Sequence, residues 1–183
     1  MTWIDIVFIV LLLGYAGLGY FTGALQRLIG LVALYLAFIA ATNMGIQAGG
    51  ILQQSSGMDT ADSRVYGFFG IIAVVLVVIE VATQLAKSQI KIEAIVFNRV
   101  TGVVVGVITG FVLGVLITYE LSYAGSPGGA SELNAFQQNI HDAISGSHVA
   151  RPITDLVGKA IAGVFSPVLP AEPQIFFGPG PVR

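Results

Sequence analysis

Four long apolar runs dominate the hydrophobic pattern of the chain: residues 4–21, 25–42, 66–86 and 99–121. Each holds roughly 18 to 23 residues, enough to cross a hydrocarbon layer about 30 Å thick at about 1.5 Å per residue. The pattern predicts four membrane-spanning helices. Only Thr22-Gly23-Ala24 separates the first two, and Gln26 and Arg27 beside Gly23 favour a tight hairpin over one bent helix. Asn43 opens a more polar stretch, residues 43–65, read as the connection between spans two and three. No basic residue precedes the first run, which carries Asp5 instead. A retained helix is therefore expected rather than a cleaved leader.

After residue 122 the pattern changes. Gly125-Ser126-Pro127-Gly128-Gly129 reads as a linker. Ser131 is a candidate cap for a short helix with Leu133, Phe136, Ile140 and Ile144 on one face. A second helix is expected from Pro152, a favoured first-turn residue. Its apolar stripe is Ile153, Leu156, Val157, Ala160, Ile161, Val164 and Phe165, with Asp155 and Lys159 opposite. Both are too short to span, so they are expected along the membrane surface or over the end of the bundle. The Pro- and Gly-rich end reads as disordered. The predicted organisation is a four-helix membrane domain (1–122), an amphipathic extracytoplasmic tail (123–170) and a disordered end (171–183). The fold class is an all-α membrane protein.

Composition narrows the function classes. Apolar residues form 55% of the 183 and charged residues 10%, against about 25% charged in soluble domains. Lipid is the natural solvent for most of this chain. A net charge of −2 without a basic block excludes an evident nucleic-acid surface. There is no cysteine, hence no disulfide, thiolate metal site or cysteine nucleophile. His141 and His148 stand seven apart, which is no recognised ligand spacing. G-x-S-x-G, H-E-x-x-H and the phosphate-cradling glycine loop are missing. Neither an enzyme nor a cofactor or metal is expected.

Charge placement predicts orientation. Arg27, Lys87, Lys91 and Arg99 flank the first and third connections, whereas the second has Arg64 with Asp59 and Asp62. Basic residues accumulate on the cytoplasmic side, so both termini are expected outside. Asp5 and Glu120 then lie near the outer surface. Asp5 is expected to favour the positive end of its helix dipole. Trp3, Tyr119, Glu120 and Tyr123 read as interfacial anchors.

Glu80 is the singular residue, about 10 Å below the cytoplasmic end of span three. A carboxylate inside a span is costly and points to function by default. It either binds a cation or relays protons, or it is structural, paired with Arg27 or Arg99 or protonated against a carbonyl. Removing the charge of Arg99 is expected to disturb assembly more than removing that of Asp5.

Gly102, Gly106, Gly110 and Gly114 recur every fourth residue in FNRVTGVVVGVITGFVLGVLI, residues 97–117. In lipid, small residues let helix backbones approach closely, and Gly19 and Gly23 in span one offer a matching face. This segment resembles the fourth-helix signature of the colicin V production family, bacterial inner-membrane proteins with four spans. The signature's aspartate–arginine pair is Asn98-Arg99 here, with an amide for the carboxylate. Asp5, the stretch GYFTGALQR (19–27) and SHVARPITDLVGKAIAGVFSPVLP (147–170) are similar to the family as well. The family takes its name from a requirement in production of a secreted peptide toxin, without a defined molecular activity. Some relatives carry an extracytoplasmic protease domain after the spans, which is not expected within these 183 residues. Two functions follow. One is a non-enzymatic accessory or scaffold for toxin production, export or envelope homeostasis, with the bilayer and other membrane proteins or further copies as partners. The other is an oligomeric transporter or channel component built on Glu80.

Overall fold

A computed structural model describes residues 1–87, 95–126 and 132–178. Lys91, the candidate cap Ser131 and the last five residues lie outside them. Four long helices, α1 (Trp3–Thr22), α2 (Ala24–Ser56), α3 (Thr60–Lys87) and α4 (Ile95–Ala124), precede three shorter ones: α5 (Ala135–Ser145), α6 (Ala150–Phe165) and α7 (Pro173–Phe176). Among the described residues, all four long helices are long and apolar enough to cross a membrane.

One residue, Gly23, makes the turn between α1 and α2. Its φ of 87° suits a residue without Cβ, and its N–H closes α1 on the Gly19 carbonyl at 2.9 Å. The tight hairpin is therefore the geometry present. α2 then runs for 33 residues, about 50 Å, well beyond a ~30 Å hydrocarbon layer. Most of 43–65, expected as a connection, is instead helical, and the chain leaves helix only at 57–59. Gly57, at φ 68°, stops α2.

The cause is a glycine crossing that hydropathy does not reveal. A Cβ on Gly49 would lie 2.7 Å from the Ser63 carbonyl oxygen, and one on Gly67 would lie 2.5 Å from the Gly49 nitrogen. α2 and α3 therefore touch backbone to backbone beyond the apolar runs. The same device joins α1 to α4. Gly19 and Gly102 face each other, Gly106 lies on the Tyr15 carbonyl, Gly110 on Leu11 and Leu12, and Gly114 on the Phe8 ring. Gly14 and Gly17 face open space. α4 packs on both α1 and α2, while α3 rests almost wholly on α2.

At the end of the bundle that carries Asp5, the C-terminal segment is folded onto the helices. Phe165 packs against Tyr35 and Phe38, and Phe68 is ringed by Phe38, Phe176 and Phe177. Residues 171–178 thus depart from the expected disorder: they form α7 and bury Phe176 and Phe177. Two adjacent aromatics gain more from this pocket than the Pro and Gly residues around them cost in turn formation. α5 starts at Asn134, whose side chain accepts the Gln137 N–H at 2.8 Å. α6 turns Ile153, Val157, Ile161 and Phe165 inward, and leaves Leu156 and Val164 outward. The single stripe read from the sequence is split between two faces.

The glycine contacts predict unequal alanine substitutions. Gly106→Ala puts a Cβ 2.9 Å from the Tyr15 carbonyl carbon and is expected to cost about 1–3 kcal/mol by overpacking. Gly14→Ala has room and is expected to be neutral or to stabilise by about 0.5–1 kcal/mol. Thermal unfolding in detergent distinguishes them, and equal midpoints would remove the α1–α4 groove.

Candidate functional site

Charged and polar side chains meet at the two ends of the bundle. At one end Asp5 is completely buried. Thr2 and Asp5 form a capping box on α1, with the Thr2 N–H donating to the carboxylate at 3.1 Å. The same carboxylate accepts the Ser147 hydroxyl at 2.5 Å and the N–H groups of Val149, Ala150 and His148 at 3.0, 3.1 and 3.2 Å. α6 has no side-chain cap of its own, because its N-cap position is Val149. Asp5 supplies the missing acceptor for the free N–H groups of that helix and a negative charge at its positive dipole end. It therefore lies inside the protein rather than among lipid headgroups. Trp3 beside it donates from Nε1 to Asn139 at 3.1 Å.

At the other end Arg27 is fully buried. Its Nη2 donates to both Glu80 oxygens at 2.5 and 2.7 Å, and its Nε donates to Thr22 Oγ1 at 3.0 Å. Gln26 and Gln84 each donate to Glu80 at 3.3 Å. Of the two cations considered for Glu80, the geometry brings Arg27. Arg99 is exposed, with its guanidinium 5.5 Å from the Tyr20 ring centre. Asn98, next to it, lies against Gly23 and accepts the first α2 N–H, from Ala24, at 2.9 Å. That contact needs an acceptor oxygen and no charge, so an amide serves as well as a carboxylate.

Sequence reasoning missed a third join. Arg64, read only as an orientation charge, is buried. Its Nη1 donates to the Gly178 and Phe176 carbonyls at 2.5 and 3.4 Å, closing the end of α7. Nothing local signals this, since the partners lie more than a hundred residues away. Thr42 Oγ1 donates to the Val168 carbonyl beyond α6 at 2.6 Å, and Asp62 accepts the side-chain amide of Asn134 at the start of α5 at 2.8 Å. The Tyr119 and Tyr123 hydroxyls bond at 2.9 Å. Glu120 departs from the interfacial girdle expected of it: its side chain is buried, and neither carboxylate oxygen has a partner among the described residues. It borders a cavity of about 360 Å³. No group of three or more His, Asp or Glu able to hold a metal occurs among the described residues.

The family model described as Colicin V production protein matches residues 4–158, from the start of α1 into α6. No curated protein and no solved structure matches the chain.

The hydrogen bonds reverse the expected order of charge removal. Asp5→Asn replaces an acceptor of five donors and is expected to cost roughly 1–3 kcal/mol. Arg99→Gln loses one exposed cation–π contact, about 0.5–1 kcal/mol. Arg27→Gln strands the Glu80 carboxylate and is expected to cost roughly 3–5 kcal/mol. Unfolding midpoints in detergent check the series. A larger loss for Arg99→Gln than for Asp5→Asn would contradict it.

Proposed function

The chain belongs to the colicin V production family, and we propose that it acts as a non-enzymatic accessory or scaffold protein of the bacterial inner membrane. In this reading it supports toxin production or export, or envelope homeostasis, by holding other membrane proteins or further copies of itself. One observation carries the proposal: the charges of Glu80, Asp5 and Arg64 are consumed in structural joins. Glu80 is held by Arg27, Asp5 by the start of α6 and Arg64 by the end of α7. A carboxylate so engaged is not free to bind and release an ion. The lipid-facing side supplies contact surface instead. Gly14, Gly17 and Gly70 have nothing within 4 Å, and small outward residues are what membrane helices use to associate.

The orientation belongs to the same proposal. Arg27 and Arg99 mark the cytoplasmic end, so the Asp5 end with α5, α6 and α7 is extracytoplasmic.

Single cysteines in this cysteine-free chain test both parts. Ser126→Cys is expected to react with a membrane-impermeant thiol reagent in intact cells, and Ser88→Cys only after permeabilisation. Leu76→Cys, on the apolar cavity beside Glu80, is expected to stay unlabelled in both. Labelling at position 76 would overturn the scaffold reading, and the reverse pattern at 126 and 88 would overturn the orientation.

A further inference from the structure

The end of α4, the end of α5 and the first half of α6 enclose a cavity of about 400 Å³, within the usual range for small-ligand sites. His141, Arg151, Thr154 and Lys159 all border it as donors, whereas the Ser122 hydroxyl on the same wall is already given to the Tyr119 carbonyl at 2.6 Å. Thr154 Oγ1 is buried without a partner among the described residues. Thr109 and Thr118, by contrast, satisfy their hydroxyls on the carbonyl four residues earlier, at 2.8 and 2.9 Å. An unpaired buried hydroxyl is costly and is expected where a ligand completes it. Gly158 lets α6 close on Tyr119, since a Cβ there would meet Thr154 Cγ2 at 2.9 Å and Tyr119 Cδ2 at 3.3 Å.

The charges favour an anion. Among the described residues Asp155 is the only carboxylate on the wall, and Arg151 Nε faces it at 3.5 Å. Arg151 Nη1 donates to the Ser145 carbonyl at 3.2 Å. Lys159 has neither an ion pair nor a hydrogen bond among the described residues. His141 faces Ser126 through Nδ1 at 3.2 Å, and its other nitrogen has no partner among them. Glu120 borders the neighbouring cavity, which shares Tyr119 and Lys159 with this one.

We infer that this cavity binds a phosphate group, with Lys159 and Arg151 supplying charge and Thr154 and His141 supplying directed hydrogen bonds. Arginine and lysine together suit a tetrahedral oxyanion, which several donors approach at once. The inference is independent of the scaffold reading. Two sources share this chemistry. One is a phospholipid headgroup, because α6 also turns Leu156 and Val164 outward, at 84% and 71% exposure, where acyl chains can cover them. The other is free phosphate.

The test uses the full chain purified in phospholipid-free detergent. Phosphatidylglycerol and diacylglycerol are added separately and retention is read by native mass spectrometry. Inorganic phosphate is titrated by phosphorus NMR. Wild type is expected to bind at least one phosphate probe, with Lys159→Gln weakening that binding about tenfold. Retention of phosphatidylglycerol alone identifies a lipid headgroup, and binding of inorganic phosphate identifies the free anion. The proposal is overturned if neither phosphate probe binds, if Lys159→Gln binds as wild type does, or if diacylglycerol is retained as well as phosphatidylglycerol. Lys159 is exposed, so the variant is expected to fold, and His141→Gln gives a second reading of the same wall.

Discussion

The Asp5 carboxylate is the constraint on which the assembly rests. It closes the first turn of α1 and, more than 140 residues later, the first turn of α6. Free N–H groups at a helix start need acceptors, and beside a hydrocarbon layer water cannot be relied on to provide them. Because α6 starts on Asp5, its far end arrives at α2, where Phe165 meets Tyr35 and Phe38. The chain then continues along α2 and α3 to seat Phe176 and Phe177, and Arg64 closes the end of α7. One buried anion at the start of the chain and one buried cation on α3 thus fasten the C-terminal segment at both of its ends.

Beneath that cap, association relies on backbone contact. Apolar side chains gain nothing by leaving lipid for one another, so close approach must supply the attraction. Two glycine crossings do so: α1 on α4 through Gly19, Gly102, Gly106 and Gly110, and α2 on α3 through Gly45, Gly49 and Gly67. Asn98 and the Arg27–Glu80 pair secure the opposite end, where α1 turns into α2. With α3 resting almost wholly on α2 within the four-helix bundle, a broad apolar surface is left toward the bilayer or a partner.

The four spans were legible because uninterrupted apolar length is a local property of the sequence. So was the spacing of the α4 glycines. Beyond that, legibility fell with sequence distance. The α2 extension reads as a loop because its apolar run stops near Thr42, and what makes it helical is contact with α3 through residues that merely look small. Residues 171–178 read as disordered from Pro and Gly, although the aromatic pair inside them decides the outcome. Glu80 could be paired with two arginines by level alone, and only geometry selects Arg27. Asp5 was legible as a charge at the positive end of its own helix dipole, but nothing near it in sequence announces the second helix it caps.

The most direct measurement of this account is hydrogen–deuterium exchange in lipid nanodiscs, comparing wild type with Asp5→Ala. The account predicts that amides of 148–165 lose protection in the variant while those of the α2–α3 crossing keep theirs. Unchanged protection across α6 would contradict the claim that Asp5 fastens the C-terminal segment to the bundle.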